Sequence, residues 1–346
     1  MSVYNEERVI KEKLESLQNL DYPEGKLKVY IGSDCSSDKT NDILSQYAKE
    51  WESLYFFPFT ERGGKPGVIN RLVDLVAKED SLTNDHIFLL TDASVMLQAD
   101  TLRNLVRHFK REDLVLVDAN MRSTGTKNEG ISKSENQYVS NEVMNKNREG
   151  ILWGKMIGPF GGCYVIRSSY FSKVPDNFLV DDFYIAFKAF EKGGNATNDL
   201  EAICYEAVSD DMNEEYRRKR RISSGNFQNL RTFRHLLWPP FSPLAFAFLS
   251  HKVLRWLGPF FLIFTFTISA YLSYQGNIIY QILFCIQIVL WGIVPLLDLI
   301  LNKININFGF LRNIRYFIYM NIALLHGFIK YLSGIKNNVW QPTKRI

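Results

Sequence analysis

The sequence is poor in features that mark secreted or nucleic-acid-binding proteins. Its cysteines show neither a paired spacing nor a metal-ligand pattern with histidine; they are Cys35, Cys163, Cys204 and Cys285. We expect reduced thiols, which are typical of a cytoplasmic domain, with one further thiol in a membrane helix. The formal net charge of +4 is too small to indicate a nucleic-acid partner.

No signal peptide is visible at the amino terminus. The chain opens on Met1-Ser2-Val3, which resembles the end of a buried strand whose earlier residues are absent. We therefore expect the first strand to be truncated, and a membrane helix upstream of it could be missing.

Charged residues are scarce in two long runs near the carboxyl terminus. Residues 256–274 carry none, and residues 278–301 carry only one, an aspartate near the end. Each run is long enough to cross the hydrocarbon core of a bilayer, which takes about 20 apolar residues. A third run, residues 314–332, contains His326 and Lys330, so the sequence allows either a third span or an interfacial helix.

The distribution of positive charge orients these runs. The loop between the first two has no basic residue, whereas basic residues follow the second run. Positive residues favour the cytoplasmic side of a membrane, which predicts that the second loop and the long amino-terminal part are cytoplasmic. We expect a domain over residues 1–235 and a membrane region over residues 236–346 that begins with an interfacial helix. The predicted location is the inner (cytoplasmic) cell membrane, crossed more than once.

Before Trp238 the sequence alternates helical and strand-like segments. Short apolar strands are predicted at residues 27–31, 54–59, 86–90 and 114–117, with amphipathic helices between them. This βαβα order predicts an α/β fold with a mainly parallel, doubly wound, Rossmann-like sheet. Residues 120–150 are polar and lack apolar periodicity, so we expect a mobile or substrate-covering segment there.

Polar motifs follow directly after the predicted strands, where parallel sheets gather their ligands. Asp92 follows the strand that ends at Leu90; its carboxylate can hold Mg²⁺ or Mn²⁺ against a diphosphate, or it can cap the next element. Asp34 ends a neighbouring strand. Lys65 follows two glycines, which would let the backbone approach a phosphate that the lysine neutralises.

Two charged clusters lie further along the chain. Asp181 and Asp182 are adjacent at the predicted start of a helix. One can satisfy the free amides of that helix while the other acts as a general base for an acceptor hydroxyl. The basic run from Arg217 to Arg221 either faces anionic lipid or supplies one arginine to a leaving diphosphate.

In this order the motifs resemble those of the family 2 glycosyltransferases with the GT-A fold, and especially their membrane polysaccharide synthase-like branch. The resemblance covers nearly the whole chain. The matching stretches are Tyr4-Asn5-Glu6-Glu7, Gly32–Asp38, Arg62-Gly63-Gly64-Lys65, Thr91-Asp92-Ala93-Ser94 and Leu179-Val180-Asp181-Asp182. In the family these are the nucleotide-binding opening, the base-contacting stretch, the basic motif near the nucleotide, the metal-binding DxD position and the acidic pair that ends in the catalytic base.

The resemblance implies an inverting, metal-dependent hexosyltransferase that acts in cell-surface or extracellular polysaccharide synthesis. The implied donor is a nucleotide-sugar, expected to be a UDP-sugar, and the implied acceptor is a glycan or a polyprenyl-linked glycan at the lipid bilayer. The implied cofactor is Mg²⁺ or Mn²⁺. The implied site residues are Tyr4, Glu6 and Asp34 near the base and ribose, Asp92 on the metal, Lys65 and Arg221 against the diphosphate, and Asp182 as the catalytic base.

Two departures from the family pattern limit what the resemblance implies. Ser94 replaces the second aspartate of the DxD motif, so Asp92 would hold the metal with help from phosphate oxygens and water. Aligned on Gly225, the synthases' Gln-x-x-Arg-Trp motif keeps its arginine in Arg221 but has Ile222 in place of the tryptophan that stacks under the acceptor sugar. A processive synthase, a single-addition enzyme and a non-catalytic nucleotide-sugar-binding scaffold therefore all stay open.

Overall fold

The computed structural model describes residues 1–79, 86–124, 131–207, 211–304, 306, 308–335 and 338. The first of these ranges forms a parallel sheet flanked by helices. Its strands, hydrogen-bonded in sequence order, are β1 (Ser2–Val3), β2 (Val29–Asp34) and β3 (Leu54–Phe59). Its helices are α1 (Ile10–Gln18), α2 (Thr40–Glu50) and α3 (Gly64–Glu79). Ile10, Leu14 and Leu17 of α1 are buried in one cluster with Ile31 and Leu44, as their helical spacing predicts.

The next residues form a five-stranded mixed sheet in the order β4-β7-β6-β8-β5. Its strands are β4 (Ile87–Thr91), β5 (Val95–Leu97), β6 (Leu114–Thr124), β7 (Cys163–Arg167) and β8 (Asn195–Ala207), and the helices around it are α4 (Thr101–Val106), α5 (Ile131–Trp153) and α6 (Asp181–Glu191). The predicted parallel arrangement is found in the first sheet and between β6 and β8. The other pairs, β4–β7, β6–β7 and β5–β8, are antiparallel. Alternation of helices and strands gives the element order but not the strand direction.

Residues 120–150 contain regular structure, where the sequence predicted a mobile or substrate-covering segment without apolar periodicity. They hold the end of β6 and most of α5, while residues 125–130 lie outside the described part. The buried face of α5 carries charge as well as apolar side chains, so the helix left little apolar periodicity in the sequence. Lys146 pairs with Asp118 of β6 at 2.5 Å, and Glu149 pairs with His251 at 2.6 Å.

The carboxyl-terminal part is helical, with α7 (Met212–Phe233), α8 (Pro243–Trp256), α9 (Gly258–Tyr274), α10 (Ile278–Lys303) and α11 (Gly309–Leu332). Among the described residues, α10 is long and apolar enough to cross a membrane by length and composition. The helices α8 and α9 meet that criterion only as a pair, bent by 60° at their junction. The aspartate in α10, Asp298, lies 2.8 Å from Nε of Arg315 on α11.

Helix α11 contains the third apolar run, does not meet that criterion, and packs along α7. Gly327 of α11 faces Ser223 so closely that an added Cβ would lie 2.4 Å from the Ser223 Cβ. The Ser224 hydroxyl donates to the Gly327 carbonyl oxygen at 2.9 Å, and the Tyr319 hydroxyl donates to Asn213 Oδ1 at 3.3 Å. These small and polar contacts join α11 to α7.

Candidate active site

Asp34 ties the loop between β3 and α3 to the end of β2. Its side chain is fully buried. Its two oxygens accept hydrogen bonds from Arg62 Nε at 3.0 Å, from the Gly63 N–H at 2.6 Å and from the Gly64 N–H at 3.1 Å. Gly64 has a φ of +67°, a conformation that favours glycine. Asp34, which was predicted to contact the base, therefore holds the loop that leads to Lys65 at the start of α3. This anchoring role was not expected from the sequence.

Tyr4, the first residue of the predicted nucleotide-binding motif, lies against the same loop. The Arg62 Cζ atom is 3.4 Å from the centroid of the Tyr4 ring, which is a stacked cation–π contact. The next predicted residue, Glu6, donates its backbone N–H to Thr40 Oγ1 at 2.9 Å, so the motif also contacts the start of α2. The structure thus brings Tyr4 and Asp34 together through Arg62, a residue from a third motif.

Lys65 links the carboxylate after β4 to the acidic pair at the start of α6. Its Nζ atom lies 2.8 Å from Asp92 Oδ1 and 3.5 Å from Asp181 Oδ2. Burial alone would lower the pKa of Lys65, but the charges of Asp181 and Asp92 outweigh it and the pKa is raised. Lys65 is therefore positively charged at any physiological pH. Residues far apart in the sequence thus form one charged cluster, in which Lys65 and Asp92 follow strands, as predicted, and Asp181 begins a helix.

Asp182 lies beside this cluster in a different electrostatic state. Its Oδ1 accepts a hydrogen bond from the Phe183 N–H at 2.8 Å. Burial, and next the neighbouring charge of Asp181, raise the pKa of Asp182 from 3.8 to about 7, although Lys65 opposes this shift. A carboxyl group with a pKa near the working pH is suited to accept a proton during a reaction. Since Asp181 contacts Lys65, the two members of the acidic pair differ in environment.

The other oxygen of Asp182 packs against the glycine turn that precedes β7. Gly161 has a φ of +84°, and a Cβ added there would lie 2.3 Å from Asp182 Oδ2. We expect Gly161→Ala to displace the Asp182 carboxylate and to lower the turnover rate about tenfold or more, since a small misplacement of a reacting group can cost about 10²-fold.

Gly193→Ala is the matched control for that prediction. Gly193 has nearly the same φ, +83°, but an added Cβ would meet nothing within 4 Å. Both variants carry the same kind of backbone strain, measurable as a drop in melting temperature. Only Gly161→Ala should lower the turnover number of the folded enzyme. Equal turnover in the two variants would show that the contact with Asp182 does not matter.

Helix α7 holds the segment that leads into the acidic pair. Gln228 Oε1 accepts a hydrogen bond from the Leu179 N–H at 3.1 Å, and Asn229 Nδ2 donates to the Val180 carbonyl oxygen at 3.2 Å. The predicted diphosphate ligand Arg221 donates from a terminal guanidinium nitrogen to the Leu179 carbonyl oxygen at 3.3 Å. Arg221 thus lies next to the acidic pair. Gln228 and Asn229, about two turns further along α7, were not identified from the sequence.

Asn338 is a further residue that the sequence analysis missed. Its Nδ2 donates to the Phe178 carbonyl oxygen at 3.1 Å. A Cβ added to Gly64 would lie 1.7 Å from Asn338 Oδ1, so the residue also abuts the Lys65 loop. It is 160 positions away from Phe178 and belongs to no periodic element, so local sequence carried no signal for it.

The residues present fit a divalent ion only if the donor supplies further ligands. In the ranges that the structure describes, no group of three or more His, Cys, Asp or Glu side chains is arranged to hold a metal. Asp92 offers one carboxylate, whereas the Ser94 hydroxyl is directed to Glu206 Oε1, 3.4 Å away on β8. Mg²⁺ is commonly bound by one or two carboxylates together with substrate phosphates and water. Asp92 is the candidate for that carboxylate, and its Oδ1 contacts Lys65 Nζ at 2.8 Å.

A three-stranded parallel sheet and a five-stranded mixed sheet, flanked by helices, define a GT-A-like α/β fold. The same fold is seen in the mannosyltransferase PcManGT from Pyrobaculum calidifontis, solved in complex with GDP-Man and Mn²⁺: the TM-score is 0.69 at 20% sequence identity, over 96% of this chain and 85% of that chain. The family model described as "Glycosyl transferase family 2" matches residues 1–174, half of the chain. The chain belongs to glycosyl transferase family 2.

Curated relatives extend this similarity to named enzymes. The chain is 29% identical over 214 residues to the beta-monoglucosyldiacylglycerol synthase of Trichormus variabilis, and 28% identical over 214 residues to the enzyme of the same name from Nostoc sp.. Each match covers 60% of this chain and 43% of the relative. The matched region thus spans less than half the length of these relatives.

Proposed function

We propose that this chain transfers a sugar from a nucleotide-sugar to an acceptor hydroxyl by a single, inverting displacement in which Asp182 is the general base. The observation that carries the proposal is the place of the Asp182 carboxyl group, whose Oδ2 faces the Gly161 turn beside the Lys65, Asp92 and Asp181 cluster, and its raised pKa suits the same role. Strongly raised pKa values of carboxyl groups cluster at functional sites, whereas a scaffold that binds without turnover does not require one. The same acidic site therefore favours an enzyme over a non-catalytic binding protein.

The proposed reaction has one bond-forming and one bond-breaking event at the anomeric carbon. The acceptor hydroxyl gives its proton to Asp182 while its oxygen bonds to that carbon. The bond from the same carbon to the diphosphate oxygen breaks, and the diphosphate leaves with the electron pair. Lys65 and Arg221 stabilise the negative charge that develops on the leaving group. Attack from the face opposite the leaving group inverts the configuration.

The donor is proposed to lie across the strand ends, with its base and ribose near Tyr4, Glu6 and Asp34. The contacts of Arg62 with Tyr4 and Asp34 support this, since they place these residues side by side at the ends of β1 and β2. Asp92 would hold Mg²⁺ or Mn²⁺ together with the donor diphosphate, where the ion would neutralise part of the phosphate charge. A UDP-sugar is the donor we propose to test first.

The pH dependence of the reaction follows from Asp182. Because the carboxylate form accepts the proton, kcat/KM should rise with pH and level off above about 7. The pKa of the folded state lies above the unfolded value of 3.8, so this group stabilises the fold fully below pH 3.8 and loses that contribution as pH rises towards 7. The measurement is kcat/KM from pH 5 to pH 9. A flat response across pH 6 to 8 would contradict the assignment of Asp182 as the general base.

A membrane lipid carrying a free hydroxyl is the acceptor we propose. The named relatives are glycolipid synthases, and Ile222 stands where the processive synthases have the tryptophan that stacks under a growing sugar chain. Both observations favour addition of one sugar to a lipid over polymer synthesis. Polysaccharide synthesis is the second candidate, favoured by the apolar helices that follow the catalytic residues.

The proposed location is the inner membrane, with residues 1–235 on the cytoplasmic side and α9 and α10 as spans. Helix α8 supports this as an interfacial helix, because Phe246, Leu249 and Leu254 are apolar and exposed. Trp238 and Phe241, just before α8, are 78% and 93% exposed. Aromatic side chains of this kind are typical of a membrane–water interface. We propose that α11 stays at the interface, since it packs on α7.

The test is transfer in a lipid bilayer. The purified chain in nanodiscs is incubated with radiolabelled nucleotide-sugars, with diacylglycerol or a monoglycosylated lipid, and with Mn²⁺ or EDTA. We expect one donor to give a lipid product with a single added sugar, and we expect EDTA to abolish it. A ladder of products would favour the polymer synthase, and absence of turnover with every donor would favour the scaffold.

A further inference from the structure

Lys13 is a fully buried lysine on α1, and it contacts the end of the strand that leads to Asp92. Its Nζ donates to Thr91 Oγ1 at 2.8 Å and to the Val95 carbonyl oxygen at 2.5 Å. Both acceptors are neutral oxygens. Burying an ammonium group costs several kcal/mol unless it is well compensated. A buried lysine with only neutral acceptors therefore lowers the free energy of unfolding, which indicates a role other than stability.

The two acceptors bracket the turn that carries Asp92. That turn is closed by a hydrogen bond from the Val95 N–H to the Asp92 carbonyl oxygen at 3.2 Å. On its other side, the Asp92 N–H and the Thr91 hydroxyl both donate to the Gly162 carbonyl oxygen at 3.0 Å. Lys13 thus contacts both ends of the turn, Thr91 and Val95, and the Gly162 carbonyl oxygen accepts hydrogen bonds from its first residues.

We propose that Lys13 is a positioning residue for the Asp92 carboxylate, and that it supports metal and diphosphate binding by a turn that has lost its second aspartate. This role rests on the proposed function, in which Asp92 holds the metal. With no second carboxylate on the ion, metal affinity depends on how well the one carboxylate is oriented before the ion binds. The ammonium of Lys13 fixes the turn through its hydrogen bonds to Thr91 and Val95.

The test compares Lys13→Met with Lys11→Met. Both replacements remove one lysine charge from α1, but Lys11 is exposed and Lys13 is buried. Mn²⁺ binding in the presence of UDP is measured by electron paramagnetic resonance, and thermal unfolding is followed in parallel. Loss of a group that orients a metal ligand typically costs about 10- to 100-fold in affinity. We expect Lys13→Met to weaken Mn²⁺ binding by about that factor, and Lys11→Met to leave it unchanged.

A split between affinity and rate separates positioning from general damage to the fold. At saturating Mn²⁺ the folded Lys13→Met variant should recover most of the wild-type kcat, whereas a purely structural role would lower the melting temperature without a specific change in Mn²⁺ affinity. If Lys13→Met does not fold, Thr91→Val removes the contact from the other side and should also weaken Mn²⁺ binding. Wild-type Mn²⁺ affinity in a folded Lys13→Met or Thr91→Val variant overturns the role of Lys13 alone. A wild type that binds no Mn²⁺ with UDP overturns the metal part of the proposed function and this role with it.

Discussion

Replacing Asp182 with asparagine is expected to lower the rate of sugar transfer by about 10²- to 10⁴-fold, the usual contribution of a general base. The amide keeps the size of the side chain and can still accept the hydrogen bond from the Phe183 N–H, but it cannot take a proton from an acceptor hydroxyl. Donor affinity should stay close to the wild-type value, because the proposed donor contacts lie on other residues. The rate is measured as transfer of label to lipid, and affinity by calorimetric titration with the nucleotide-sugar.

Asp176→Asn is the matched control for Asp182→Asn. Asp176 is an exposed aspartate in the segment that leads to the same helix, and its replacement makes the same chemical change away from the cluster. Transfer by Asp176→Asn should equal the wild-type rate. Wild-type transfer by Asp182→Asn would remove Asp182 as the base and would point to Asp181 instead.

Replacing Lys65 with methionine should affect both stability and catalysis. Without the ammonium group, the Asp92 and Asp181 carboxylates face each other with no cation between them. Removing one partner of a buried ion pair costs about 3–5 kcal/mol, and we expect about 2–3 kcal/mol because the Asp92 side chain is one-third exposed, at 33%. Since Lys65 opposes the raised pKa of Asp182, the rising limb of the pH profile should also move to higher pH.

The control for Lys65→Met is Lys173→Met. Lys173 pairs with Asp74 at 2.6 Å, but both side chains are about half exposed, and such surface pairs contribute about 0–1 kcal/mol. Denaturant unfolding should separate the two variants clearly. Equal stability of both variants, together with an unshifted pH profile for Lys65→Met, would show that Lys65 is not the cation of the acidic cluster.

The sequence predicted best those elements whose burial follows from a local pattern of apolar residues. The apolar spacing of α1 and the short strands of the first sheet were predicted within a few residues, because amphipathic periods reflect burial directly. Lys65 and Asp92 were expected at one site because each follows a predicted strand, although β3 and β4 lie in separate sheets. The start of α6 at Asp181 followed from the acidic pair that precedes its apolar residues.

The remainder depends on contacts between residues that are distant in the sequence. The direction of β7 could not be read from element order, and α5 was missed because its buried face carries paired charges such as Lys146. Asp34 was predicted as a base contact. Its three donors within the protein belong to a loop 28 to 30 residues later, so no local pattern indicated them. Lys13 resembled any surface lysine on an amphipathic helix until Thr91, 78 residues later, was found in contact with it.

The configuration of the sugar in the product tests the central claim most directly, that Asp182 promotes a single displacement at the anomeric carbon. The measurement is the proton NMR spectrum of the glycoside formed by the wild type from an α-linked nucleotide-sugar. A single displacement gives a β-linked product, which we expect from the wild type and expect to be strongly reduced in Asp182→Asn. An α-linked product, or the same amount of product from both proteins, would contradict it.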